Sequence, residues 1–374
     1  MDVFDILDRL VAFPSVAGKP NGDIAGWIEA HLAEHATQVT VLPGPEGDRS
    51  NLFATIGPAD VPGYILSGHM DVVPAGEPQW NSPPFTLRRD GERLYGRGTT
   101  DMKGFLAAAL AAVPTLAGLR LARPIHLAFS YDEEVGCRGV PHMIARLPEL
   151  CAKPLGVIVG EPSRMRAVRG HKGKAAARVI IYGRSGHSSR PDLGLNAIHA
   201  MAETLAAVVS EAERLTRGPF DPAFEPPYSS LQAGVIKGGQ SVNIIPDSCT
   251  LELEARAIPG VDPASLLVAV KARAEGLAAE GFRVEWTPMS AYPALSLPQD
   301  AALAGLLREL TGEAPLAAVS YGTEAGLYQA AGFDAIICGP GDIGRAHKPD
   351  EYILTSELIA CQRLIEALGA RCAA

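Results

Sequence analysis

Between residues 174 and 287 the chain breaks its own rhythm, and that break restricts the available folds more than any other feature. Outside this stretch, short apolar runs alternate with helical patterns. Residues 63–66, 124–129 and 155–159 read as buried strands, and the Ala- and Leu-rich run 103–116 as a helix. The alternation resumes later, with a helix from Gln299, strands at 316–319 and 334–338, and helices at 324–331 and 355–368. Such a pattern predicts an α/β sheet covered on both faces. Inside the stretch the order changes to strand 175–182, a long amphipathic helix 196–215, strands 231–237 and 248–257, helix 263–280 and strand 282–286. That is β-α-β-β-α-β, the split unit of a ferredoxin-like sandwich. The expected organisation is therefore a mixed-sheet α/β domain, 1–173 plus 288–374, with an α+β domain inserted at 174–287. A length of 374 residues agrees with two domains.

Composition narrows the partners. Formal net charge is −9, with Lys and Arg scattered, so no basic footprint for nucleic acid or anionic lipid is present. No apolar run approaches the ~18 residues needed to cross a bilayer. The first ten residues carry Asp2, Asp5 and Asp8 where a signal peptide would be basic and then apolar. The cysteines at 137, 151, 249, 338, 361 and 372 include no CxxC pair and read as reduced thiols in a cytoplasm. Cys137 is notable because it lies beside the candidate site.

Five segments carry chemistry, each at the end of an apolar run. Ser67-Gly68-His69-Met70-Asp71 places a histidine two residues from an acid; the carboxylate can fix the ring's tautomer while the other nitrogen binds a metal. A glycine-rich loop, 95–100, delivers Asp101 just before a helix, a position that also suits a helix cap. Asp132-Glu133-Glu134, Glu161 and His347 follow further strands. Alone, each has an ordinary reading as a cap or a solvated loop. Together they gather two histidines and several carboxylates at the strand ends where α/β folds bind ligands, a donor set that suits paired divalent cations. The run 339–344 matches GxGxxG but leads to Pro349 rather than a helix, and 183–187 is not a nucleophile elbow. His31, His35, His126, His142, His171 and His199 lack matched acids and are expected to be structural.

These segments, SGHMDVVP (67–74), YGRGTTDMKG (95–104), YDEEVG (131–136), GEPS (160–163), GRSGHSS (183–189) and AHKPDE (346–351), resemble the M20 family of zinc peptidases and deacylases over nearly the whole chain. Within it, RGHKGKAAARV (169–179) and YGTEAGLY (321–328) are most similar to the acetylornithine deacetylases. The resemblance implies two divalent ions per subunit, zinc or cobalt in its place. His69, Asp101 and Glu161 would hold one; Asp101, Glu134 and His347 would hold the other, with Asp101 bridging. It implies that Asp71 orients His69, that Glu133 is the general base, and that the Asp101–Met102 peptide is cis. The insert corresponds to the family's dimerisation domain, and His187 would reach the partner subunit's oxyanion in a homodimer. Asn243 and Arg256 match residues that hold a substrate carboxylate. Gly322, Thr323 and Glu324 would line the pocket, with Glu324 facing a distal amine. The implied reaction removes an N-acyl group from an amino acid, N2-acetyl-L-ornithine foremost, as in arginine biosynthesis. Succinyl-diaminopimelate desuccinylase and other M20 acylases or dipeptidases are the alternatives.

Overall fold

The computed structural model describes residues 1–76 and 78–374, which form two compact units. The first comprises Met1–Gly170, Leu295–Ala318 and Thr323–Ala374. Its main sheet has six strands in the order Gln38–Pro43, Ser50–Ile56, Ile125–Ser130, Tyr64–His69, Gly156–Pro162, Ala335–Gly339. The last four run parallel, and the first two are added antiparallel. Ile125–Ser130, Gly156–Pro162 and Ala335–Gly339 are buried along their whole length, as parallel strands covered on both faces must be. Helix Gly104–Gly118, apolar all round, packs against Thr355–Cys372 and Val3–Val11 at the centre of the core.

The parallel strands all deliver their C-terminal ends to one edge of the sheet. His69 closes one strand, Glu161 is the next-to-last residue of another, and the loops carrying Glu133, Glu134 and His347 leave two more. Close approach makes this possible: a Cβ on Gly160 would lie 2.0 Å from the Phe105 ring, so only glycine lets the Glu161 strand rest on the central helix.

The second unit, His171–Ala294 with Val319–Gly322, has the expected ferredoxin-like sheet. Its strands lie in the order Ser230–Gly238, Ser248–Ala257, Gly173–Tyr182, Arg283–Tyr292, all antiparallel. Burial in Ser248–Ala257 alternates residue by residue, the period-two pattern of a sheet with one covered face. That face packs under helix Ala197–Leu215, capped by Asn196, and under the helical run that starts at Pro263.

Three expectations are corrected. Residues 316–319 form no strand; Leu316 and Val319 make isolated bridges to Val168 and His171. The strand expected at 282–286 continues to Tyr292 through a bulge at Pro288, past the boundary placed at 287. Helix Val3–Val11, which Asp2 caps with a capping box, is present where Asp2 was read only for its charge.

Candidate active site

His69 is fully buried, and its Nδ1 lies 2.9 Å from the main-chain oxygen of Asp71. A carbonyl only accepts, so Nδ1 carries the hydrogen and Nε2 keeps its lone pair when the ring is neutral. Nε2 faces Asp101 Oδ1 at 3.1 Å and Glu161 Oε1 at 3.9 Å. The other Asp101 oxygen, Oδ2, lies 3.2 Å from His347 Nε2, which is 3.1 Å from Glu134 Oε2. Each oxygen of one carboxylate is thus turned toward a different histidine.

The Asp101 loop starts at Gly98, whose φ of +84° favours glycine, and the Asp101–Met102 peptide is cis, as the family resemblance implied. Asp71 contacts both the His69 ring and the loop beside it. Its carboxylate accepts from the main-chain N–H groups of Glu133 and Glu134, both at 3.1 Å, and stands 3.7 Å from His69 Nδ1. The ring is oriented by the Asp71 carbonyl, and the carboxylate orders the loop that bears the two glutamates. On the far side of that loop, Asp132 accepts from Gly18 N and Arg49 Nη1. Cys137, buried and free, directs its thiol at Glu133 Oε1 from 3.4 Å.

The donor set fits divalent cations. His69, Asp101 and Glu134 offer atoms all within 4.8 Å of one another, as do His69, Glu133 and Glu161. Donors about 2.0–2.2 Å from a zinc ion stand roughly 3.3–3.6 Å apart in a tetrahedron, close to the separations seen. Glu133 is therefore as near to the centre as the acids expected to be ligands.

The charges point the same way. Burial alone would lower the His69 imidazolium, but the hydrogen bond to Asp101 and the charges of Asp71, Glu161 and Glu133 push it well above its usual value. His347 is raised to about 10 by its hydrogen bonds to Asp101 and Glu134. Burial and then the charge of Asp101 push Glu161 well up. Burial raises Glu133 and Glu134 likewise. Asp101 moves the other way: burial opposes its ionisation, but the hydrogen bonds from His347 and His69 hold it below the usual carboxylate range. So many acids in one buried place need compensating positive charge, from protons or from cations, and loading cations must expel the protons.

The remaining candidate residues divide between the two units. Glu324 is 1% exposed and accepts from Ser67 Oγ at 2.5 Å and Ser130 Oγ at 2.7 Å. Both its oxygens are thus engaged beneath the His69 strand. Thr323 is buried, its hydroxyl accepting from Ala325 N. Gly322 belongs to the second unit, where a Cβ would meet the Tyr292 ring at 2.4 Å. His187 and Asn243 are neighbours and exposed; Ser188 N donates to Asn243 O at 3.1 Å, and His187 Nδ1 lies 2.8 Å from Ser189 Oγ. Arg256 is half-buried against Glu254 and the Tyr292 hydroxyl. Sequence reasoning missed Arg97 and Glu351 although both lie inside quoted motifs. Their buried pairing is visible only in the fold.

Comparison with known proteins agrees with this geometry. Residues 65–370 match the model of peptidase family M20/M25/M40. An acetylornithine deacetylase of Proteus mirabilis (strain HI4320) is 34% identical over 364 residues, covering 93% of this chain and 91% of that protein. One from Photorhabdus laumondii subsp. laumondii is 31% identical over 381 residues, covering 97% and 95%. Among solved structures, an M20 family metallo-carboxypeptidase from Sulfolobus solfataricus superposes with a TM-score of 0.80 at 20% identity, covering 99% of each chain. A tripeptidase from Staphylococcus aureus gives 0.76 at 20% identity, covering 99% and 97%. The chain belongs to peptidase family M20/M25/M40 and is a hydrolase of amide bonds.

Proposed function

We propose that this chain removes the acyl group from an N-acylated amino acid, N2-acetyl-L-ornithine foremost, at a centre of two divalent ions held by His69, Asp101, Glu161, Glu134 and His347. The observation that carries this reading is Asp101, with one oxygen facing each histidine and Glu133 beside them. The choice of acetylornithine follows the deacetylases that match over nearly their whole length. Glu324, whose carboxylate is held by Ser67 and Ser130, remains the acid assigned to the distal amine of that substrate.

Two ions, zinc or cobalt, would supply a water of lowered pKa and polarise the acyl carbonyl. Glu133 accepts the proton of the attacking water and returns it to the leaving amine, the two-way use of one carboxylate. Burial makes Glu133 a stronger base than an exposed carboxylate, which suits it to take a proton from water. Asp71 keeps Glu133 and Glu134 aimed by holding their main-chain N–H groups. Arg256 would grip the substrate carboxylate with a planar fork suited to it, together with Asn243 from the copy that supplies His187, beside which it lies.

His187 would donate to the tetrahedral oxyanion, and the second unit supports its doing so across a homodimer. Tyr182, before His187, pairs with Ser248, whereas Arg256 pairs with Lys174 at the other end of the same strand. Eight residues of strand separate those ends by about 26 Å. That separation favours a small substrate taking the two side chains from two copies. The edge strand Ser230–Gly238 leaves Ile236 exposed, with Ile198 and Val242 also exposed in this unit, as an unpaired interface would. We place the enzyme in the cytoplasm, as its unpaired cysteines suggest. No helix among the described residues is long and apolar enough to cross a membrane.

A panel of N-acetylornithine, N-succinyl-diaminopimelate and N-acetylmethionine with zinc or cobalt tests the substrate. The expected result is the highest kcat/KM for N-acetylornithine, by tenfold or more at the level of one lost polar contact, about 1.4 kcal/mol. A higher value for either competitor overturns the substrate assignment.

A further inference from the structure

Three segments of the first unit bring the candidate ligands together, and one buried ion pair touches all three. The side chains of Arg97 and Glu351 are each 1% exposed, and Nη1 meets Oε2 at 3.0 Å. Glu351 also accepts from the main-chain N–H groups of Gly98 at 3.0 Å, Thr100 at 2.9 Å and Asp101 at 3.0 Å. Its carboxylate thus collects the loop that presents Asp101, from four residues beyond His347. Arg97 spreads outward from the same point. Nη1 donates to the carbonyl of Lys348, next to His347, at 3.3 Å, and Nη2 to that of Pro74, three residues past Asp71, at 3.2 Å. Its guanidinium lies 5.1 Å from the centre of the Trp80 ring.

A buried pair of this kind adds little net stability over apolar side chains of the same volume. A structural anchor would need one partner segment. Here the contacts converge on residues 74, 98–101 and 348, the flanks of Asp71, Asp101 and His347. We propose that Arg97 and Glu351 are positioning residues that hold Asp101 and His347 at ion-binding spacing, so that breaking the pair weakens both ion sites together. The proposal rests on the two-ion reading of the centre.

The test is zinc affinity, measured by competition with a chromophoric chelator at a temperature where circular dichroism shows every variant folded. Glu351→Gln keeps the shape but turns amide hydrogens toward N–H donors. The expected result is a 10- to 100-fold rise in Kd for both ions, the usual cost of losing a hydrogen-bonding support behind a ligand. Leu307→Ala, in the core of helix Ala302–Thr311, is the control for stability alone, with lower Tm and Kd within about twofold of the parent. Should Glu351→Gln fail to fold, Arg97→Lys keeps the charge and loses the fork, with an expected rise of about tenfold. A Kd within twofold of the parent in the folded variant overturns the positioning role. A parent that binds fewer than two ions overturns the reading of the centre, and this proposal with it. A parent that binds two, with variants that bind as well, overturns the positioning role alone.

Discussion

Replacing Glu133 by glutamine is expected to lower kcat for amide hydrolysis by about 10³–10⁴-fold while the ions stay bound. The substitution preserves side-chain volume, and the main-chain N–H still donates to Asp71, so the loop keeps its shape. What disappears is the ability to accept a proton from water and hand it to the leaving amine. Glu133 also lies within ligand distance of His69 and Glu161. Elemental analysis beside the kinetics therefore separates two roles: a base gives low turnover with normal metal content, a ligand gives low turnover with metal lost. Turnover within a few fold of the parent would remove Glu133 from the chemistry.

His187→Ala is expected to cost about 10²–10³-fold in kcat, the measured scale for one lost oxyanion donor. Its ring is exposed and its hydrogen bonds run only to Ser189, so the unit should fold as before. Refolding Glu133→Gln subunits together with His187→Ala subunits makes the claim of action in trans specific. Mixed dimers would contain one site with an intact Glu133 facing an intact His187, and activity should return to about a quarter of the parent, half the dimers each with one working site of two. Confirmed mixed dimers with no recovered activity would mean that His187 acts within its own chain or not at all.

Much of this was legible in the sequence, for identifiable reasons. The inserted sandwich showed because the order of its strands and helices breaks the alternation on either side of it, the signature of a split β-α-β unit. The candidate ligands showed because each lies in a short motif of its own, and the fold brings His69, Asp101, Glu134, Glu161 and His347 close together. The run 316–319 misled because four apolar residues do not say whether a neighbouring strand exists to pair with. The serines that engage Glu324 could not be read, being 257 and 194 residues away in sequence. Asp71, Arg97 and Glu351 work largely through main-chain N–H and C=O groups, which leave no mark on side-chain identity.

Counting ions per chain in parent and Asp101→Ala protein tests most directly whether two ions share Asp101, as proposed. Alanine removes only the carboxylate, since the residue's main-chain N–H can still donate to Glu351. After stripping and titration with zinc, the parent should bind two equivalents, releasing protons as the imidazolium of His347 and the raised glutamates give way, with hydrolysis appearing as the ions load. The Asp101→Ala protein should hold neither ion at micromolar zinc and show no turnover. Two tightly bound ions in that variant, or full activity in stripped parent protein, would contradict the account.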